Sequence, residues 1–148
     1  MKLIRNFSYK KILSLFWRQD GSPFFNAKGI AVGVFSGCFP LFGLQTLLGI
    51  FLAQLIKWNV VLAAIGTWIS NPFTYIPLYL LNYKIGAFFL RNSSDINFDP
   101  KLIKIDFWNQ GLILTSRLIL GSFVVGMFFG LIFGSLTYSF YKRIRKVS

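Results

Sequence analysis

Residues 29–56, 58–83 and 118–141 carry no charged side chain, and the first two of these runs are interrupted by helix-breaking, hydrogen-bonding strings. In the second run the string is Gly66-Thr67-Trp68-Ile69-Ser70-Asn71-Pro72. In the first it is Phe39-Pro40-Leu41-Phe42-Gly43-Leu44-Gln45-Thr46. Inside hydrocarbon every backbone N–H and C=O must find a partner, so such a break persists only where protein or a water-filled cavity lines it. Two breaks in one short chain therefore constrain its fold and mark where it works.

Each uncharged run exceeds the ~20 residues that cross a bilayer as a helix. A soluble fold would have to bury all three on every side, which a single domain of 148 residues cannot do. The expectation is an all-α integral membrane protein. The net charge of +12 would point to nucleic acid in a soluble chain. Here the cations instead border the apolar runs, at Lys28, Lys57, Lys84 and Arg117 and in the tail Lys142, Arg143, Arg145 and Lys146. That is where membrane anchors and the positive-inside bias put them, so no nucleic-acid partner is expected.

Along the chain, residues 1–28 read as a basic lead. Tyr9, Ile12, Leu13, Phe16 and Trp17 share one helical face, and Lys10, Lys11, Ser14 and Arg18 the other, a pattern for an amphipathic helix lying in the membrane interface. Gly21-Ser22-Pro23 is read as its end. Residues 29–90 form a region of paired broken helices: short apolar helices to either side of Pro40 and Gly43, a turn at Lys57-Trp58-Asn59, then helices to either side of Asn71-Pro72. Asparagine suits an N-cap and proline the first helical position. Residues 91–110 read as a polar loop, and 111–148 as a final spanning helix with a basic tail.

Gly33-Val34-Phe35-Ser36-Gly37, then Pro40, Gly43 and Gln45, then the string from Gly66 to Pro72 and Tyr79, resemble a bacterial membrane family known as domain of unknown function 2062. The resemblance is close over residues 28–89 and loose over the final helix. It implies a bacterial cytoplasmic-membrane protein and supplies no activity. Some relatives carry a glycosyltransferase domain, which implies work near lipid-linked sugars.

Gly29, Gly33 and Gly37 recur every fourth residue, as do Ser122, Gly126, Gly130 and Gly134. Each set is a smooth stripe that lets another backbone approach, either within this chain or in a homodimer or larger membrane complex. Gln45, Thr46, Thr67, Ser70, Asn71 and Thr74 are the polar side chains nearest the breaks. One reading has them satisfy backbone groups freed by Pro40 and Pro72. The other adds that half-helix N-termini at the breaks attract an anionic group, such as the phosphate of a lipid. Trp68 and Tyr75 are expected to pack at the break.

Absences narrow the chemistry. The chain has no histidine and a single cysteine, Cys38, so no disulfide framework, metal site or histidine-based triad is expected. The apolar runs hold no carboxylate for acid–base work, so no enzyme and no cofactor are expected. Both termini are basic, which places them together in the cytoplasm and makes the number of crossings even. The expected topology is a re-entrant hairpin over the first run, a broken spanning helix over the second and a spanning third helix. Three simple spans are the alternative. The expected function is binding or helping to translocate an anionic lipid or lipid-linked phosphate at the two breaks. The alternative is a non-catalytic structural or assembly subunit of a larger membrane complex.

Overall fold

A computed structural model describes residues 21–41, 43–90 and 107–147. The expected interfacial helix, and the expected polar loop as far as residue 106, lie outside the described residues; residues 107–110, expected in that loop, instead open the last helix. Among those described, the secondary structure is wholly helical. Five α-helices follow one another: α1 (Pro23–Gly37), α2 (Gln45–Leu55), α3 (Val60–Gly66), α4 (Tyr75–Phe89) and α5 (Phe107–Val147). A 3-10 turn, Thr67–Ile69, extends α3.

Helix α1 starts earlier than expected. Gly21-Ser22-Pro23 opens a helix here: the Ser22 hydroxyl accepts from Phe25 N at 3.1 Å and Pro23 occupies the first turn. Proline fits there because its missing N–H would have had no helical partner. Gly and Pro punctuate helix ends and helix starts alike, and the serine cap decides which. The boundary drawn at residue 28 therefore falls inside α1. At the far end the chain leaves α1 through Cys38 and reaches Gly43, whose φ of 84° lies in the left-handed region.

Helix α2 ends in a left-handed cap at Lys57, φ 52°. Trp58 N donates to Ala53 O at 2.8 Å and Lys57 N to Gln54 O at 3.1 Å, the double bond pattern of a Schellman motif. Asn59 then caps α3 by accepting from Leu62 N at 3.0 Å.

Residue pairs across the helices fix their directions. Gly29, Gly33 and Gly37 of α1 meet Asn59, Ala63 and Thr67 in turn, so α1 and α3 run parallel. A Cβ on Gly33 would overlap the Ala63 carbonyl, so this close approach requires glycine. The α5 stripe lies on another face of α1 and runs antiparallel: Gly126 by Phe35 and Cys38, Gly130 by Ala31, and Gly134 by Ala27 and Ala31. Both glycine stripes are thus packed within the chain.

Helix α4 continues in the direction of α3 and passes beyond the end of α1. Its Gly86 abuts Arg117, and Gly121 of α5 abuts Asn82. Helices α1 and α4 therefore lie one after the other along α5, which has 41 residues and is ~62 Å long at 1.5 Å per residue. Two small apolar clusters hold these seams: Ile30, Val34, Leu62 and Tyr141, and Cys38, Leu78 and Val125.

The first two uncharged runs are thus each divided between two helices. Among the described residues, one helix, over Gly111–Ile144, is long and apolar enough to cross a membrane.

Candidate functional site

The two breaks meet. Gln45, the first residue of α2, is 3% exposed, and its Nε2 donates to Ser70 Oγ at 2.7 Å and to Tyr75 Oη at 2.9 Å. One residue on, Thr46 and Thr67 share a hydroxyl–hydroxyl hydrogen bond of 3.0 Å. One amide and one threonine at the start of α2 therefore tie the first break to the second. Gly49, a turn later, packs against Thr67 and Ser36 and lets α2 lie close to both α1 and α3.

The second break supports itself. Asn71 Oδ1 accepts from Phe73 N at 3.0 Å and from Thr74 N at 3.1 Å, while Tyr75 N donates to the Asn71 carbonyl at 3.0 Å. Asn71 therefore caps a turn through Pro72 that runs straight into α4. The Thr74 hydroxyl donates back to Ile69 O at 2.7 Å, and Thr67 and Ser70 hydroxyls return to Ala64 O and Thr67 O. These hydroxyls satisfy carbonyls that the proline break would otherwise leave open. Trp68 is 78% exposed and points away from the break, unlike Tyr75, which joins the Gln45 bond.

Gln45, Thr46, Thr67, Ser70 and Thr74 thus come together, with Asn71 exposed at the edge. Pro40 is half-buried, whereas Pro72 and Gly43 are exposed. Among the described residues, Gln45 Oε1 is buried without a hydrogen-bond partner.

Three further polar contacts lie outside the residues singled out from sequence. Asn82, fully buried in α4, donates through Nδ2 to Cys38 O at 2.8 Å and to Ser122 Oγ at 2.9 Å. It closes the carbonyl end of α1 and pins α4 to α5. Asn59 Nδ2 donates to the fully buried Asn26 Oδ1 at 2.8 Å, linking the starts of α1 and α3. Arg117 is 4% exposed and donates to Tyr83 Oη at 2.7 Å. A lone asparagine in an apolar helix was the available signal for Asn82, since such amides commonly bond across helices.

These features define an all-helical protein built on two interrupted helices whose breaks are tied together, beside one helix long enough to cross a membrane. The chain belongs to the bacterial family called DUF2062, described as an uncharacterised protein conserved in bacteria, whose profile matches residues 7–148. The match extends well beyond the central residues that first pointed to the family. No curated protein and no solved structure matches the chain.

Proposed function

We propose that this is an integral protein of the bacterial cytoplasmic membrane that binds an anionic lipid or lipid-linked phosphate where its two helix breaks meet. Membrane integration is supported by α5, since only 33% of its apolar window is covered by the rest of the chain. Phe73 at 91% and Ile76 at 72% exposure, both beside the second break, extend the same apolar surface. In water such surface would be costly at roughly 25 cal/mol per Å². In lipid it is the ordinary exterior.

In this arrangement α1 and α2 form a re-entrant hairpin, α3 and α4 together make one broken span, and α5 makes the other. Lys28, Lys57, Lys142 and Arg143 lie at one end, with Lys84 and Arg117 at the other. Arg117 to Lys142 measures ~38 Å along α5, close to a bilayer of ~30 Å hydrocarbon with its interfaces. The breaks lie opposite Gly126, roughly 24 Å from the Lys142 end. The end that carries Lys28, Lys57, Lys142 and Arg143, and with it both chain termini, then faces the cytoplasm.

The observation that carries lipid binding is Gln45. A buried amide oxygen without a donor costs about 1–3 kcal/mol. Asn82 Oδ1 shares that state, but Gln45 lies where the two breaks meet, and a headgroup hydroxyl or amine that entered between them would satisfy its oxygen. The α2 N-terminus beside it, with no side-chain cap, favours the neighbouring phosphate. Native mass spectrometry of the detergent-purified protein tests this reading. Gln45→Ala and Asn71→Ala are expected to insert and accumulate but to lose bound anionic lipid. Degradation of both would instead make the breaks purely structural. The rival reading, an assembly subunit, draws no support from the glycine stripes, because each lies against another helix of the same chain.

A further inference from the structure

A groove of about 420 Å³ opens between α1 and the C-terminal half of α5, away from the breaks. Its floor forms where Gly130 and Gly134 face Ala27 and Ala31 with no side chain of their own. Its two ends differ. Gly130, Leu131 and Ala31 make one end wholly apolar, while Lys28, Tyr138 and Ser139 line the other. From Gly130 to Ser139 is ~14 Å along the helix, about half the hydrocarbon thickness and so the depth of one leaflet.

The polar end is cationic and held in place. Lys28 Nζ sits 4.0 Å from the Phe24 ring centroid and 4.9 Å from that of Trp58. Lys142 Nζ lies 5.6 Å from the Tyr138 ring, one turn beyond the groove. The described residues contain no carboxylate to balance them, since Asp20, Asp95, Asp99 and Asp106 all fall outside.

We infer that this groove seats a phosphate-bearing lipid of the cytoplasmic leaflet. One acyl chain lies along the Gly130–Gly134 seam, and the phosphate meets Lys28, with Tyr138 and Lys142 beside it. An amphiphile with one apolar chain and one anionic end matches the groove in length and in charge order. The described helices of a second copy offer no acidic residue to meet Lys28, whereas a lipid phosphate supplies that charge. The inference rests on the membrane reading but not on lipid binding at the breaks.

The test uses the full chain in mild detergent, titrated with phosphatidylglycerol and separately with phosphatidylcholine, and read by native mass spectrometry. Lys28→Gln is expected to weaken phosphatidylglycerol binding by roughly fivefold, as loss of one interfacial cation does, with less effect on phosphatidylcholine. Ser135→Trp, at an exposed rim position of the groove, is expected to weaken both lipids. Lys57→Gln, at the same end but outside the groove, is expected to leave both unchanged. Equal losses from Lys57→Gln and Lys28→Gln would reduce the effect to diffuse surface charge and overturn the proposal, as would no loss from Lys28→Gln. A change from two chains to one in Ser135→Trp, with lipid retained, would make the groove a contact between copies and also overturn it. If Lys28→Gln does not accumulate, Lys28→Arg decides: phosphatidylglycerol retained supports the groove, and phosphatidylglycerol lost overturns it. Loss of lipid in Gln45→Ala but not in Lys28→Gln places the lipid at the breaks and overturns the groove. The reverse result upholds the groove and removes the lipid from the breaks.

Discussion

Gln45 and Ser70, which stand 25 residues apart in the chain, are joined by a buried 2.7 Å hydrogen bond. This bond links the first turn of α2 to the residue just past the 3-10 turn, and so holds two helix breaks at one depth. Gln45→Ala is expected to lower stability by about 1–2 kcal/mol, because Ser70 and Tyr75 lose a common partner. A double-mutant cycle with Ser70→Ala isolates the bond itself. On the proposed membrane reading the coupling is expected at ~0.6–1.7 kcal/mol. Thermal unfolding in detergent gives all four corners of the cycle, and a coupling of zero would mean the two residues act independently.

The helix breaks were legible in the sequence because proline, glycine and asparagine act locally. Pro40, Gly43 and the Asn71-Pro72 cap need only their own neighbours to impose a break. Glycine repeats were equally plain, but not what they touch: stripe geometry is the same for a partner helix in this chain or in another. Asn26 and Asn82 escaped notice, and Arg117 was read only as a cation bordering an apolar run, because their partners lie between 33 and 44 positions away. The stacking of α1 and α4 end to end along α5 is likewise a long-range outcome that no local pattern encodes. Gly21-Ser22-Pro23 shows the opposite limit, where a local signal was clear but its direction was ambiguous.

Glycine at the α1–α3 seam answers to steric contact rather than to backbone freedom. Gly33→Ala sets a methyl against the Ala63 carbonyl, and the whole seam must part to admit it. A loss above about 3 kcal/mol is expected, at the upper end of overpacking costs. Gly111→Ala, in a helical position with nothing near its added methyl, is expected to be neutral or to stabilise by about 0.5–1 kcal/mol. Comparing the two variants by thermal unfolding in the same detergent separates packing from helix propensity.

Lys57 holds a left-handed backbone that glycine adopts without strain. Lys57→Gly is expected to raise stability by roughly 0.5–1 kcal/mol, since the Schellman bonds at Trp58 and Lys57 use only backbone atoms. A fall in the unfolding midpoint would indicate that the lysine side chain contributes more than its backbone costs.

Asn82 is the polar counterpart of the glycine contacts on the α4–α5 seam. Asn82→Leu removes the donor from the Cys38 carbonyl and from Ser122, and puts a bulkier apolar group where those two polar partners stand. A loss of about 1–3 kcal/mol is expected. Because Cys38 is fully buried at this junction, the loosening has a direct readout. Cys38 is expected to react with a membrane-permeant maleimide faster in Asn82→Leu than in the parent, and equal rates would show that the seam stays closed without the amide.

The re-entrant hairpin and the three-span alternative differ most simply in where they put Lys57. A hairpin formed by α1 and α2 returns the chain to the side it left, so Lys57 shares a face with Lys28 and Lys142, and Lys84 lies opposite. Three spans would carry Lys57 to the far side, bring Lys84 back and send Lys142 across. Single cysteines at positions 28, 57, 84 and 142, in a Cys38→Ser background, distinguish the two with an impermeant maleimide on whole and lysed cells. The expected pattern is protection of positions 28, 57 and 142 in whole cells, with position 84 alone labelled. Labelling of position 57 from outside would exclude the hairpin. The packing already disfavours that result: Gly29 and Gly33 lie against Asn59 and Ala63, contacts that one straight helix over residues 29–56 would hold roughly 40 Å apart.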